Sequence, residues 1–196
     1  MQTSTYTPGY SAPILSFMEQ RTAETHAGFF LSHLRPGFRV LDAGCGPGTI
    51  TVGLAHRVAP GQVIGIDIED SQFASAREQA ERESINAEFR KSQHLRLPFE
   101  SGFFDAVFSH AVLQHLRNPI AALTELRRVL QPGGFIGIRA GDMGGMLIDA
   151  ESDGPAKGFA AYLSNRGKDG GDPYVGRKLA RLLRKSGFKV EQMTAS

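Results

Sequence analysis

The sequence contains no tryptophan and one cysteine, Cys45, among its 196 residues. A lone cysteine excludes an internal disulfide and a zinc cage built on several thiolates, and no metal is expected. It fits a reducing compartment. No run approaches the ~18 apolar residues of a transmembrane helix, so no membrane span is expected. An excess charge of either sign is also missing. The 22 Lys and Arg face 20 Asp and Glu, leaving +2. That near balance supplies no basic field for nucleic acid. Residues 1–13 are polar and lack the basic start and apolar core of a secretory signal, so the expected location is cytoplasmic. No internal repeat or low-complexity tract occurs. Hydrophobic residues at 41% and charged residues at 21% exclude a wholly disordered chain.

Glycine is in excess, 23 of 196 residues, against a usual ~7%. The excess points to tight turns or to backbone that a ligand approaches closely. Short apolar runs alternate with amphipathic segments. Residues 1–13 read as an arm and residues 14–34 as a helix, ended by Arg35-Pro-Gly37. Strands are expected at 38–42, 62–67, 87–90, 105–109 and 135–139. Helices are expected at 49–58, at 71–83 with Ser71 as cap, and at 119–130 with proline at its start. Residues 131–134, Gln-Pro-Gly-Gly, read as a turn. The alternation predicts an α/β fold, a doubly wound and mostly parallel sheet with helices on both faces. Its ligand crevice lies at the carboxyl ends of the strands. Residues 141–171 break the rhythm, with one short helix near 158–163. A helix at 174–185 and a last strand at 188–193 follow. The organisation expected is an arm and helix (1–34), a core (35–140), an insertion or lid (141–173), and a helix and strand returning to the core (174–196).

The strongest local signal is Val40-Leu-Asp42-Ala-Gly44-Cys-Gly46-Pro-Gly48-Thr: an apolar strand closed by an acid, a glycine turn, then a helix. Glycines there permit positive φ, and the helix start offers free N–H groups. The turn is one residue tighter than a dinucleotide fingerprint, and a ligand-free glycine turn is the alternative. Asp67 ends the second strand, where a carboxylate can accept from two ribose hydroxyls. Glu69 and Asp70 compete with it but suit the start of the next helix. Ile68 packs on a purine face or fills the core. His110 and His115 flank the end of the fourth strand. Each is a candidate general base or acceptor contact, or a packing residue. His26, His33, His56 and His94 show no metal-ligand spacing. Cys45 reads as a small residue in a tight turn. Tyr6, Tyr10 and Phe17 cover the site or belong to a frayed arm. The run Arg177, Lys178, Arg181, Arg184 and Lys185 reads as a solvated helix face.

In sum of motifs and order, the chain resembles the class I S-adenosylmethionine-dependent methyltransferases, specifically the ubiquinone and menaquinone biosynthesis group. The resemblance runs from about residue 35 to 139. It is carried by 40–49, 63–67, Leu97-Pro-Phe99 followed by Gly102-Phe-Phe-Asp105, Val112-Leu-Gln-His115-Leu, and Arg127-Arg-Val-Leu-Gln-Pro-Gly-Gly134. It implies S-adenosylmethionine as cofactor. Asp42 would belong to the cofactor site, Gly44 and Gly46 would lie on the methionine side, Asp67 on the ribose, and Ser109 and His110 at the methyl-bearing end. These families usually place Gly-Asp before Leu-Pro-Phe, the acid accepting from the adenine amine. Here Ser92 and Gln93 stand instead, and the Gln93 amide accepts without charge. The expected function is methyl transfer to a small-molecule acceptor. The alternatives are a non-catalytic cofactor-binding protein and an RNA methyltransferase, the latter lacking its usual motif at Ser109-His-Ala-Val. The class normally adds an antiparallel seventh strand between strands five and six, and the residues after 193 are too few for one. Either 188–193 pairs with strand five, or a homodimer covers that edge, or the insertion folds over it.

Overall fold

A computed structural model describes residues 11–93, 95–145, 153–168 and 170–195. Five strands form its sheet: β1 (Arg39–Ala43), β2 (Gln62–Asp67), β3 (Ala87–Lys91), β4 (Phe104–His110) and β5 (Leu130–Arg139). They lie in the order β3-β2-β1-β4-β5, every neighbour parallel. The order reverses between β1 and β4, the switch point at which such sheets open a crevice. The helices are α1 (Ala12–Glu19), α2 (Ala23–Leu31), α3 (Thr49–Val58), α4 (Phe73–Arg82), α5 (Pro119–Val129), α6 (Asp153–Lys168) and α7 (Leu179–Lys185).

Strand alternation sorts the core into two layers. Val40, Val63, Ala106 and Phe108 bury against Phe30 of α2 and Leu54 and Val58 of α3. Leu41, Ala43, Ile64, Ile66 and Val107 point the other way, against Leu123, Leu126 and Val129 of α5 and Leu179 of α7. Burial on both faces explains why the central strands β1, β2 and β4 are apolar runs rather than polar–apolar alternations. The predicted doubly wound parallel sheet is therefore the observed one.

Several local expectations change. Residues 14–34 form two helices, not one. Thr22 breaks the run by capping α2: its Oγ1 accepts from Thr25 N at 3.3 Å, while Thr25 Oγ1 accepts from Thr22 N at 3.1 Å. This reciprocal box satisfies two otherwise orphan donors. Helix α4 starts at Phe73, with Gln72 and not Ser71 at its N-cap position; the Ser71 N–H instead donates to Glu69 Oε1 at 3.0 Å. The helix placed at 158–163 is the longer α6. The helix placed at 174–185 is a 3-10 turn, Gly176–Lys178, followed by α7. Residues 131–134 are a bulge within β5 rather than a turn before it. The pairing jumps from Phe104↔Leu130 to Ala106↔Phe135.

The last expected strand is absent. Helix α7 ends in a Schellman motif, Phe188 N donating to Leu183 O at 3.0 Å and Gly187 N to Arg184 O at 3.0 Å. Residues 188–193 then continue without forming a strand. In the class of folds the chain resembles, the sixth strand pairs only with the inserted seventh, and no antiparallel strand exists among the described residues. Residues 188–193 do not pair with β5, so that expected pairing is absent, and β5 stands at the edge of the sheet among the described residues. Phe188 packs on the α5–α7 core instead. Tyr6, Tyr10, His94 and residues 146–152 of the expected insertion lie outside the described residues.

Candidate functional site

The site begins where β1 ends. Gly44 N and Cys45 N both donate to Ile66 O, at 2.8 and 3.0 Å, folding the chain back over β2. Gly48, at φ +83°, is the N-cap of α3. A Cβ there would lie 2.6 Å from both Ala76 Cβ and Phe89 Cε1, so only glycine fits. Gly46, at φ +52°, donates its N–H to Asp67 Oδ2 at 2.9 Å. A Cβ on Gly46 would meet Met18 Cε at 2.9 Å, so α1 lays a methionine methyl directly over this turn.

Asp67 closes β2 and is 8% exposed. Its other oxygen accepts from Glu69 N at 3.2 Å. Of the three neighbouring acids it alone meets the glycine turn, because Asp70 pairs with Lys91 at 3.0 Å. Ile68 beside it is half-buried. Asp42 lies deeper, 1% exposed, with Thr51 Oγ1 donating to its Oδ2 at 2.7 Å. Burial, with Asp67 adding repulsion, pushes the Asp42 carboxyl up to about 7 despite the Thr51 bond. Burial likewise pushes the Cys45 thiol up, which makes it a poor nucleophile and suits its role as a small turn residue.

Gln72 was not singled out by sequence. It is buried at the N-cap of α4, and neither its Oε1 nor its Nε2 has a partner among the described residues. Its Oε1 lies 4.0 Å from the point a Gly46 Cβ would occupy. An unsatisfied buried amide costs ~1–3 kcal/mol, so this pair of atoms fits a polar ligand resting on the turn. The signal in sequence was a glutamine five residues beyond Asp67. Gln93 is exposed, and Ser92 ties its loop to the site by donating N–H to Asp67 O at 2.8 Å.

At the far side of the switch point, Ser109 is 2% exposed and donates its hydroxyl to Ala43 O at 2.7 Å, tying β4 to β1. His110 ends β4, and Ala111 follows at φ +57°, a conformation uncommon outside glycine. Burial, reinforced by Arg21, His26 and Arg139, lowers the His110 pKa to about 3. His110 is therefore neutral at pH 7. His26, set aside by sequence, stands edge-on to it at 5.0 Å between ring centroids. His115 lies half-buried on a separate 3-10 turn, Leu113–His115. The structure thus gathers Asp42, Gly44, Gly46 and Asp67 around one turn, and His110 with His26 around another. Below them, Arg128 and Glu125 of α5 hold the Leu97-Pro-Phe loop. Glu125 Oε1 accepts from Leu97 N at 2.7 Å, and Arg128 donates to Leu97 O and Phe99 O at 3.1 and 2.8 Å.

A parallel sheet with a glycine turn after β1 and an acid closing β2 defines the nucleoside-cofactor-binding architecture of class I methyltransferases. Residues 41–138 match the family model described as a methyltransferase domain, half of the chain, and the protein belongs to that family, the class I S-adenosylmethionine-dependent methyltransferases. An uncharacterized methyltransferase of Schizosaccharomyces pombe is 38% identical over 145 residues, covering 70% of this chain and 52% of that one. A demethylmenaquinone methyltransferase of Lactococcus lactis is 37% identical over 102 residues, covering 51% and 40%. The chain spans about half the length of the curated relatives it matches. Among solved structures, a SAM-dependent methyltransferase from Aquifex aeolicus shares the fold at TM-score 0.69 and 20% identity, covering 94% of this chain and 92% of that one. The [4+2]-cyclase SpnF aligns at TM-score 0.60 and 25% identity, covering 89% and 56%.

Proposed function

We propose that this chain transfers the methyl group of S-adenosylmethionine to a small-molecule acceptor. The observation that carries the reading is the bond from Gly46 N to Asp67 beside the Gln72 amide, which has no partner among the described residues. Asp67 would take the ribose hydroxyls, Gly44, Gly46 and Asp42 the methionine portion, Ile68 a purine face and Gln93 the adenine amine. Bound there, the cofactor supplies a methyl already activated on a sulfonium. The protein's share is then to orient and desolvate, and such positioning can remove ~7–11 kcal/mol of barrier. Ser109 holds β4 against β1, fixing where His110 stands relative to the glycine turn. His110 contacts the acceptor as a neutral imidazole, and His115 supports the following turn.

The small-molecule reading is supported by relatives named as quinone and sterol methyltransferases, and by a near-neutral charge balance. No helix among the described residues is long and apolar enough to cross a membrane, and a cytoplasmic location fits this reading. A homodimer across the β5 edge is its expected assembly. A second reading, cofactor binding without methyl transfer, is favoured by the likeness to a cyclase and by Ser92-Gln93 in place of Gly-Asp. An RNA acceptor ranks lower.

Calorimetry with S-adenosylmethionine and S-adenosylhomocysteine tests the first step. Asp67→Asn should weaken both by roughly ten- to a hundredfold, as loss of a charged hydrogen bond worth ~1.5–3 kcal/mol requires. Unchanged affinity refutes the assignment. Conversion of S-adenosylmethionine to its demethylated product with a metabolite extract then separates the two readings.

A further inference from the structure

We propose that Gln72 is a second ribose ligand: its side-chain amide donates to a sugar hydroxyl that itself donates to Asp67. The proposal rests on the cofactor reading above and adds the residue that makes the site selective for a ribosyl group. Gln72 is 8% exposed, and neither amide atom has a partner among the described residues. It stands at the N-cap position of α4 yet makes no side-chain cap hydrogen bond. The helix start is served otherwise, Phe73 N donating to Asp70 O at 3.1 Å. The neighbouring polar groups are also engaged elsewhere. Glu69 Oε1 accepts from Ser71 N at 3.0 Å, Asp70 pairs with Lys91, and Arg77 donates to Phe89 O at 2.9 Å. The Gln72 amide is thus a buried polar group that local structure does not use.

The amide is held where a nucleoside would rest. Its Oε1 faces the open side of Gly46, 4.0 Å from the point a Cβ there would occupy. The same residue donates its N–H to Asp67 Oδ2, so Gln72 and Asp67 flank one glycine. Phe73 and Ala76 of α4 pack with Cys45 of the turn, Val52 of α3 and Phe89 of β3. The backbone that carries Gln72 and the turn that carries Gly46 are therefore one packed unit. The amide is fixed relative to the acid before any ligand enters, which lowers the ordering cost of binding.

The chemistry is complementary. A hydroxyl both donates and accepts, whereas a carboxylate only accepts. The two oxygens of Asp67 accept one backbone N–H each, from Gly46 and Glu69, and each keeps lone-pair capacity for a sugar O–H. Two ribose protons are satisfied in this way, but the buried hydroxyl oxygens still need donors. The Gln72 amide supplies an N–H without charge, and a flip about its terminal bond presents nitrogen or oxygen to the sugar. A lysine at this position would pair with Asp67 and withdraw it from the sugar, and a second carboxylate would repel it. One substitution therefore has two consequences of opposite sign. Removing the amide relieves the free protein of an unsatisfied buried group and deprives the bound ligand of a donor.

The test titrates the full chain calorimetrically with S-adenosylhomocysteine and with its 2′-deoxy and 3′-deoxy analogues, for the parent, Gln72→Met and Gln72→Leu. Scanning calorimetry of the free proteins accompanies it. Gln72→Met should weaken S-adenosylhomocysteine about tenfold and weaken the analogue lacking the contacted hydroxyl less than about twofold, the signature of a direct pairwise contact. Its free Tm should equal or exceed that of the parent, an outcome that a structural hydrogen bond would not give. Gln72→Leu should repeat the pattern with a side chain that packs differently. Affinity for S-adenosylhomocysteine within about twofold of the parent in both variants overturns the proposal. So does an equal loss on all three ligands, or a Tm fall beyond about 4 °C in both variants, which would show an amide already bonded within the fold. If the parent fails to bind S-adenosylhomocysteine, the cofactor reading falls. The same comparison with adenosine and ADP-ribose then decides whether Gln72 serves another ribosyl ligand, and no binding of either overturns this proposal as well.

Discussion

Replacing Asp42 by asparagine should make the protein's stability less dependent on pH. In the folded chain burial moves this carboxyl from its ordinary 3.8 to about 7. The folded state therefore binds more protons than the unfolded chain between those two values, and raising pH pulls the equilibrium toward unfolding. The group's contribution is fully present below pH 3.8 and is lost as pH rises through about 7. A difference of about three units at 1.36 kcal/mol each gives ~4 kcal/mol lost by pH 8 or so, of which ~3 kcal/mol falls between about pH 5 and 8. Asparagine carries no such proton and can still accept from Thr51 through its carbonyl. It will have some constant offset in stability, and that offset cancels when the two proteins are compared across pH. At ~2–4 °C per kcal/mol for a chain of this size, the Tm of the variant should gain roughly 6–12 °C on the parent between about pH 5 and 8. Scanning calorimetry at four pH values measures this directly. A constant Tm difference across that range would show that Asp42 is ionised in the fold at low pH, and that the depth of its burial does not govern it.

Other perturbations report on other parts of the molecule. Gly48→Ala should cost ~1–2 kcal/mol for the left-handed backbone and ~1–3 kcal/mol for overpacking against Ala76 and Phe89, a fall in Tm of roughly 4–20 °C; a Tm within about 2 °C of the parent contradicts it. Arg128→Ala strips the carbonyls of Leu97 and Phe99 of their donor and should cost ~1–3 kcal/mol. It should also speed hydrogen exchange at the Leu97 amide, and unchanged exchange there is the refuting outcome. Gln93→Asp supplies the charged acceptor usual in the resembled families and should keep or tighten S-adenosylmethionine affinity. A tenfold loss, about 1.4 kcal/mol, would place Gln93 elsewhere than the adenine edge.

How much of this was legible in the residues depends on the range over which each feature is determined. The bounds of α3 and the start of β2 could be read to the residue because glycine and proline punctuate them, Gly48 before Thr49 and Ala59-Pro-Gly61 before Gln62. Asp67 was legible because an acid that ends an apolar run is locally anomalous, and the structure indeed turns it onto Gly46. The pairing of His26 with His110 was not, because it joins residues 84 positions apart through the packing of α2 on the β4–β5 end. Gln72 looked like an ordinary helix-start residue, and only its burial beside the turn distinguishes it. The pattern of 188–193 misled for a physical reason. Alternation states which face of a strand is apolar, but a strand exists only where a neighbour offers a ladder, and that neighbour lies elsewhere in the fold.

The reversal of strand order between β1 and β4 also partitions the site in a way that mutations can follow. Asp67 terminates β2 and Arg139 terminates β5, so β1 and β4 stand between them in the sheet. Three strand spacings of ~4.8 Å separate their backbones by roughly 14 Å, beyond the ~7–10 Å over which substitutions usually couple. Both strand ends are fixed by cores on opposite faces of a close-packed sheet, so neither must shift when the other changes. If, as proposed, the β2 end holds the cofactor and the β4–β5 end the acceptor, such a layout lets the acceptor side drift while the cofactor side stays. A double substitution at Asp67 and Arg139 should accordingly cost the sum of the two single ones.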